Sequence, residues 1–312
     1  MKPWIKPLLI GAIAFSLAAC SKQSPDSNAG SSAASAGGEP TIGLAVSTQN
    51  NPFFVTLRQA AEAEAKAQGI KLITVDAQDD AARQTSSIED LIQKKVSVIL
   101  INPTDSDALA NAVREANKAN IPVISIDRAV NGGEVVAHVA SDNVEGGRMA
   151  AKFLLEQIKH RGKVIELEGI PGSSAARERG QGFAEGIKDA KDVQVVAKQP
   201  ADFDRAKGLT VTENILQAHK DVKGLFAQND EMALGALRAI QAAGLKDVVV
   251  VGFDATSDAI AAVKAGTLAA TVQQKPDLMG KMAVDAAKQL IDGKQVPKSI
   301  PVPLNLVTKD NA

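Results

Sequence analysis

The sequence predicts an α/β protein of two similar domains, each a doubly wound parallel sheet. Three observations carry that reading. Short runs rich in Val and Ile alternate with longer stretches whose apolar residues return at helical spacing; the alternation runs through two successive series; and about 270 residues beyond the N-terminal segment suit two domains of ordinary size.

The first series begins after Pro40. TIGLAVS reads as a strand, and FFVTLRQAAEAEAKAQ as a helix ending at Gly69, where a residue free to adopt positive φ suits a C-cap. IKLITVD, an amphipathic stretch over residues 81–95, VSVILIN, a helix over 105–119 and PVISID continue the pattern. After VVAHVAS the second series opens with a helix over 144–158, KVIELEG, a helix through Arg179 and Phe183, VQVVAKQ, a helix over 206–218 and VKGLFAQ. A helix over 231–243, DVVVVGFD, a helix over 257–265, LAATVQQ and a last helix over 277–291 complete it.

Ahead of this lies MKPWIKPLLIGAIAFSLAAC, with two early lysines, an apolar run from 8 to 19 and small residues before a single cysteine. That run is too short for a permanent membrane span, and residues 1–19 read as a secretory signal. Leu17-Ala18-Ala19-Cys20 resembles the lipobox of bacterial lipoproteins, which implies cleavage before Cys20 and lipid on its thiol. A lone cysteine permits no internal disulfide. Residues 20–39, rich in Ser, Ala and Gly, cannot bury enough apolar surface to offset chain entropy and read as a flexible tether. Formal net charge is −1 and Lys/Arg runs are absent, so neither a nucleic-acid backbone nor an anionic membrane surface is an expected electrostatic partner.

In open parallel sheets the ligand crevice lies outside the carboxyl ends of the strands. Those ends carry Asn50 and Asn51, Asn102, Asp127 and Arg128, Asn229 and Asp230, Asp254, and Gln273 and Gln274. Asn or Asp there can simply cap the next helix. That explanation weakens where a second cap candidate sits nearer the helix, as Asp105, Asp230 and Ser257 or Asp258 do. It fails for Asp127-Arg128, which precede a loop and another strand rather than a helix. An acid beside a guanidinium offers acceptors and fixed donors together, which suits vicinal hydroxyls. The glycine-rich GIPGSSAARERGQGF lacks the Gly-Lys-Ser/Thr ending of a P-loop and the spacing of a dinucleotide fingerprint. Arg177 and Arg179 point about 200° apart on a helix, so only one of them can face the crevice.

Aromatic residues are scarce: eight Phe, one Trp and no Tyr. Two of the Phe, Phe53 and Phe54, nonetheless follow the first strand in STQNNPFFVTL. A sugar has C–H faces and a rim of hydroxyls, so its pocket needs flat apolar walls and a polar edge. Phe53 and Phe54 can supply one wall and Phe203, in QPADFDRAKG, the other. The competing reading makes the first pair core residues of the helix.

With these residues assembled, the ordered series STQNNPFF, LINPTDSDA, PVISIDR, HVASDN, GSSAARERG, QPADFDR, FAQNDEMALGALRA, VVGFD and LAATVQQKPD resembles the bacterial periplasmic sugar-binding family, the substrate-binding components of ABC importers, from Thr41 to the C-terminus. The resemblance implies the type I periplasmic binding protein fold, with three interdomain crossings forming a hinge. Domain one is then 40–141 plus 275–303, and domain two 142–274 plus 304–312. It implies D-ribose or a closely related monosaccharide as ligand, trapped by hinge closure. Phe53, Phe54 and Phe203 would stack on the sugar; Asn51, Asp127 and Arg128 from one domain and Arg179, Asn229 and Asp254 from the other would bond its rim, with Gln274 near the hinge. This selects Arg179 over Arg177 and leaves Asn102 either behind the contact residues or lining the cleft. The implied partners are an ABC permease and ATPase complex, with a chemoreceptor as a further reader of the closed form.

The same resemblance implies a monomer in the periplasm or cell envelope, with no catalysis and no cofactor; the lipid anchor read from residues 17–20 departs from the many members free in the periplasm and would be this chain's sole link to the membrane. No calcium loop of alternating Asp and Asn occurs, so no metal is expected. Ala255 and Ser257 depart from the glycine and proline of the family loop, and Pro171-Gly172-Ser173 from its turn; neither removes a contact. A sugar-responsive transcription regulator would need a helix-turn-helix where the signal and tether stand. Asp127 and Asp254 could pair for glycoside hydrolysis, but the adjacent arginine favours an ionised acceptor over a proton donor.

Overall fold

The computed structural model describes residues 39–312. The signal segment, Cys20 and the tether up to residue 38 lie outside them. In chain order the elements are β1 (Thr41–Val46), α1 (Pro52–Ala67), β2 (Lys71–Asp76), α2 (Ala81–Gln93), β3 (Val98–Ile101), α3 (Ala110–Lys118), β4 (Val123–Ile126) and β5 (Ala137–Ala140). There follow α4 (Asn143–Gln157), β6 (Arg161–Glu168), α5 (Ser174–Ile187), β7 (Asp192–Pro200), α6 (Arg205–Ala218), β8 (Val222–Ala227), α7 (Asp230–Ala242) and β9 (Val249–Asp254). The chain ends with α8 (Ser257–Ala265), β10 (Ala270–Gln273), α9 (Pro276–Ile291), β11 (Ser299–Pro301) and β12 (Asn305–Thr308).

These strands form two sheets of one topology, ordered β11-β5-β4-β3-β1-β2 and β12-β10-β9-β8-β6-β7. Pairing is parallel throughout the first sheet. In the second it is parallel except where β12 runs antiparallel to β10. Both sheets reverse winding direction beside their first strand, β1 or β6, which opens a crevice at the carboxyl end of each. The strand sequences explain the burial. VILI and VISI of β3 and β4 are wholly buried, as strands covered on both faces require.

Helix α9 packs on β3, β4 and β5 and against α1, although it follows β10 in the chain. Helix α4 packs on β8, β9 and β10 and against α5. The chain therefore passes from one sheet's lobe to the other's at 141–142, 274–275 and 302–304.

Two details depart from the sequence reading. α3 starts at Ala110 rather than near 105, because the Asp105 carboxylate accepts the N–H groups of Asp107 and Ala108 at 2.8 Å and closes its own turn. β11 and β12 escape the alternation altogether. They are three and four residues long, at sheet edges in a segment holding Pro301 and Pro303, where proline is tolerated.

Glycine sets the approach of α4 to α5. A Cβ built on Gly182 would collide with the Val144 carbonyl oxygen, and one on Gly147 with the Arg179 carbonyl oxygen. Gly182→Ala is expected to cost about 1–3 kcal/mol of stability, the range for overpacking a tight interface. Urea unfolding checks this, and an unchanged midpoint would contradict it.

Candidate functional site

The sugar-contact residues expected from the sequence meet in one place. Asn51, Phe53, Phe54, Asp127, Arg128, Arg179, Phe203, Asn229, Asp254 and Gln274 all line a single cavity between the lobes. Ala175 of α5 completes the wall and carried no sequence signal. Arg177 is exposed on the same helix, its guanidinium 3.0 Å from the Gly172 carbonyl oxygen, so the helical geometry resolves the arginine pair in favour of Arg179.

Local structure explains how each side chain reaches the cavity. Asn51 and Asn229 do cap their helices: the Asn51 Oδ1 accepts the Phe53 N–H at 2.9 Å, and the Asn229 Oδ1 accepts the Met232 N–H at 3.0 Å. The expectation that Asp230 would cap α7 and free Asn229 is thus corrected. Capping uses only the carbonyl oxygen, which leaves the amide NH2 of each residue for other work. The Asn229 Nδ2 donates to the Phe203 carbonyl at 3.1 Å and holds the aromatic loop. Both readings of the phenylalanine pair also hold. Phe53 and Phe54 are core residues of α1, packed edge to face with centroids 5.1 Å apart, and they wall the cavity as well.

Three wall positions have positive φ, Asp127 (63°), Phe203 (61°) and Asp254 (115°), as does Ala255 (60°) next to the last of them. Such backbone costs of order 1–3 kcal/mol per residue and persists only where surrounding bonds fix it. At Asp127 the fixing bond runs from the Arg128 N–H to the Ile126 carbonyl at 2.6 Å, a three-residue turn that tips the carboxylate off the strand end into the cleft. At Asp254 it is a network around Asp230, a fully buried residue of α7. The Asp230 Oδ2 accepts the Thr256 N–H and its Oδ1 the Thr271 hydroxyl, both at 2.7 Å, and the Thr271 Oγ accepts the Ala255 N–H at 3.2 Å.

Charge dominates the interior. Asp127, Arg128 and Arg179 are each 3% exposed and Asp254 6%. The Asp127 Oδ2 accepts from Asn102 Nδ2 at 3.1 Å, which explains the role of Asn102 behind the cleft. Arg179 donates through Nε to the Asn143 side chain at 2.8 Å and through Nη1 to the Gln228 carbonyl at 2.7 Å. Asn143 escaped the sequence reading, although HVASDN places it at a helix start after a strand end, as with Asn51.

The acids and arginines stand close without bonding directly. Arg128 Nε lies 3.7 Å from Asp127 Oδ2, Arg179 Nη1 lies 3.8 Å from Asp254 Oδ1, and Arg179 Nη2 lies 4.0 Å from Asp127 Oδ1. These separations exceed hydrogen-bond length. Asp127 Oδ1, Arg128 Nε and Gln274 Oε1 are buried with no partner. The Arg128 guanidinium carbon also lies 5.1 Å from the ring centres of both Phe54 and Phe203, which come from opposite lobes. Among the described residues no group of three or more His, Cys, Asp or Glu is placed to hold a metal ion.

A phenyl-walled cavity with unpaired donors and acceptors at its edge, set where two sheets present their strand ends, is a small-ligand site. A sequence profile of the periplasmic binding protein domain matches residues 42–295. The chain belongs to the periplasmic binding protein family. The ribose import binding protein RbsB of Bacillus subtilis (strain 168) is 54% identical over 299 residues, covering 95% of this chain and 95% of the relative. That of Escherichia coli (strain K12) is 52% identical and covers 88% of this chain and 93% of its own length. Solved structures agree in fold. The myo-inositol binding protein of Caulobacter, bound to myo-inositol, superposes with a TM-score of 0.84 at 35% identity, covering 88% of this chain and 95% of its own. A solute binding protein of Actinobacillus succinogenes 130z with bound D-allose gives 0.82 at 35% identity, covering 87% and 98%.

Burial also sets the protonation of this periplasmic binding protein. It pushes the Asp254 carboxyl up to about 7, against the pull of Arg179 and the Gln274 amide. Burial first, and then the charge of Asp254, raises Asp230 well above the ordinary carboxylate value. Both groups keep a proton in the fold after the unfolded chain has lost it. The stabilising contribution of the Asp254 proton is therefore full below the ordinary value of 3.8 and is lost as the pH rises through about 7, and that of the Asp230 proton changes in the same direction. Asp254→Asn should flatten the fall in Tm between about pH 4 and 7. A thermal-melt series across that range checks it, and an unaltered slope would show that Asp254 titrates normally.

Proposed function

We propose that this chain is the substrate-capturing component of an ABC sugar importer in the periplasm, that its ligand is D-ribose or a closely related monosaccharide, and that it binds the sugar without altering it. One observation carries the reading. Two acids and two arginines are buried together at separations of 3.7–4.0 Å, and unpaired atoms of Asp127, Arg128 and Gln274 border a cavity walled by Phe. Hydroxyls bridging from carboxylate to guanidinium satisfy both at once, and the C–H faces of the sugar meet the rings of Phe53 and Phe54 on one side and Phe203 on the other. The names of the relatives support ribose, and the myo-inositol and D-allose of the solved structures are rings edged by hydroxyls in the same way.

In this proposal the lobes, residues 40–141 with 275–303 and residues 142–274 with 304–312, close about the three chain crossings. Asn51, Asp127 and Arg128 come from the first lobe, and Arg179, Asn229 and Asp254 from the second, with Gln274 at a crossing. No single lobe holds the whole rim, so the sugar links them and closure desolvates it. A wrong stereoisomer then strands a buried donor or acceptor, and that asymmetry gives selectivity. The closed form would be read by the permease and ATPase complex and by a chemoreceptor, and lipid on Cys20 would hold the protein at the membrane.

Removing one partner of a charged hydrogen bond costs about 1.5–3 kcal/mol, roughly ten- to more than a hundredfold in affinity. Asp127→Ala and Arg179→Ala are each expected to weaken D-ribose binding at least tenfold in titration calorimetry. Unchanged affinity in either variant would remove that residue from the contact set, and no heat of binding in the unmodified protein would refute the ligand.

A further inference from the structure

We propose that Ser106 is the N-cap of helix α5, supplied across the cleft from the opposite lobe, and that with Ser174 it forms a latch that sets affinity without setting selectivity. The first turn of any helix leaves N–H groups without intrahelical partners, and a Ser, Thr, Asp or Asn just before it normally satisfies one. In α5 that position belongs to Ser173. Its backbone is extended, as a cap requires, yet its side chain makes no capping bond and its Oγ is buried without a partner.

Ser106 instead satisfies a neighbouring orphan, the N–H of the helix's first residue. Its Oγ accepts the Ser174 N–H at 3.1 Å. Two further bonds flank it: the Ser106 N–H donates to the Gly172 carbonyl at 2.9 Å, and the Ser174 Oγ accepts the Ala129 N–H at 2.8 Å. Ser106 follows β3 and Ala129 follows β4, both of the first sheet, whereas Gly172 and Ser174 follow β6 of the second. All three bonds therefore cross the cleft. Ser106 is 0% and Ser174 5% exposed, and a Cβ built on Gly172 would run into the Asp105 carboxylate, so the backbones meet closely there.

Neither serine lines the sugar cavity. Opening the lobes breaks the three bonds and uncaps the helix that carries Ala175 and Arg179. The latch thus favours the closed state equally for every sugar, and apparent affinity scales with the fraction of molecules able to close. In the open, ligand-free protein the bonds are absent, so their removal leaves that form's stability unchanged.

This inference rests on the proposed closure over a sugar, and the test separates the two. Ser106→Ala and Ser174→Ala are titrated, beside the unmodified protein, with D-ribose, D-xylose, D-glucose and D-galactose, and Tm is measured without sugar. The latch predicts a Kd raised roughly three- to tenfold for each sugar that binds the unmodified protein, with the order of preference kept and the ligand-free Tm unchanged. Unchanged Kd values, an altered preference, or a ligand-free Tm lowered as for an ordinary lost cap would overturn it. Binding of another sugar in place of D-ribose would overturn only the ribose assignment and leave the latch to be read with that sugar. A panel in which none binds would overturn both.

Discussion

Two carboxylates and two guanidinium groups buried between two lobes set the terms for the rest of this molecule. Charges removed from water need partners, and here acids and arginines face one another at 3.7–4.0 Å, beyond direct bonding. Each charge is anchored by the protein on one side instead: Asp127 by Asn102, Arg128 by the Pro103 carbonyl, Arg179 by Asn143 and the Gln228 carbonyl, and Asp254 by Gln274. Anchoring on one side only leaves the cavity side free, and so the geometry suits a ligand that brings donors and acceptors of its own.

The fold delivers these groups by repeating one topology. Each sheet winds in both directions from its first strand, and the chain crosses between lobes three times, which sets the strand ends of both sheets around the same cavity. Strained backbone is used where a strand end must turn a side chain inward. Asp127, Phe203 and Asp254 all have positive φ, and two of the three are acids at strand ends, where a regular strand would send the side chain to one face of the sheet. Asp230 shows the cost of this arrangement: a carboxyl is fully buried, which raises it well above the ordinary carboxylate value, while both its oxygens accept the bonds that pin the turn after Asp254.

Much of this was legible in the sequence because it is local. A strand followed by Asn, Asp or Arg is a pattern of adjacent residues, and the rule that ligands sit at strand ends turns that pattern into a site. Capping and lining proved compatible at Asn51 and Asn229, since an amide has separate donor and acceptor ends. What stayed hidden depends on contacts distant in sequence. α3 starts late because Asp105 closes a turn of its own and Ser106 bonds to the other lobe. β11 and β12 exist only by pairing with β5 and β10. Asn143, Thr271 and Ser106 act through partners 36, 41 and 68 positions away, and no periodicity records such distances.

The most direct measurement is a crystal structure of the protein with D-ribose. On this account the sugar ring lies between Phe54 and Phe203, and its hydroxyls sit within hydrogen-bond distance of Asp127 Oδ1, Arg128 Nε and Gln274 Oε1. A ribose bound elsewhere, or one in this cavity that leaves those three atoms unpaired, would contradict it.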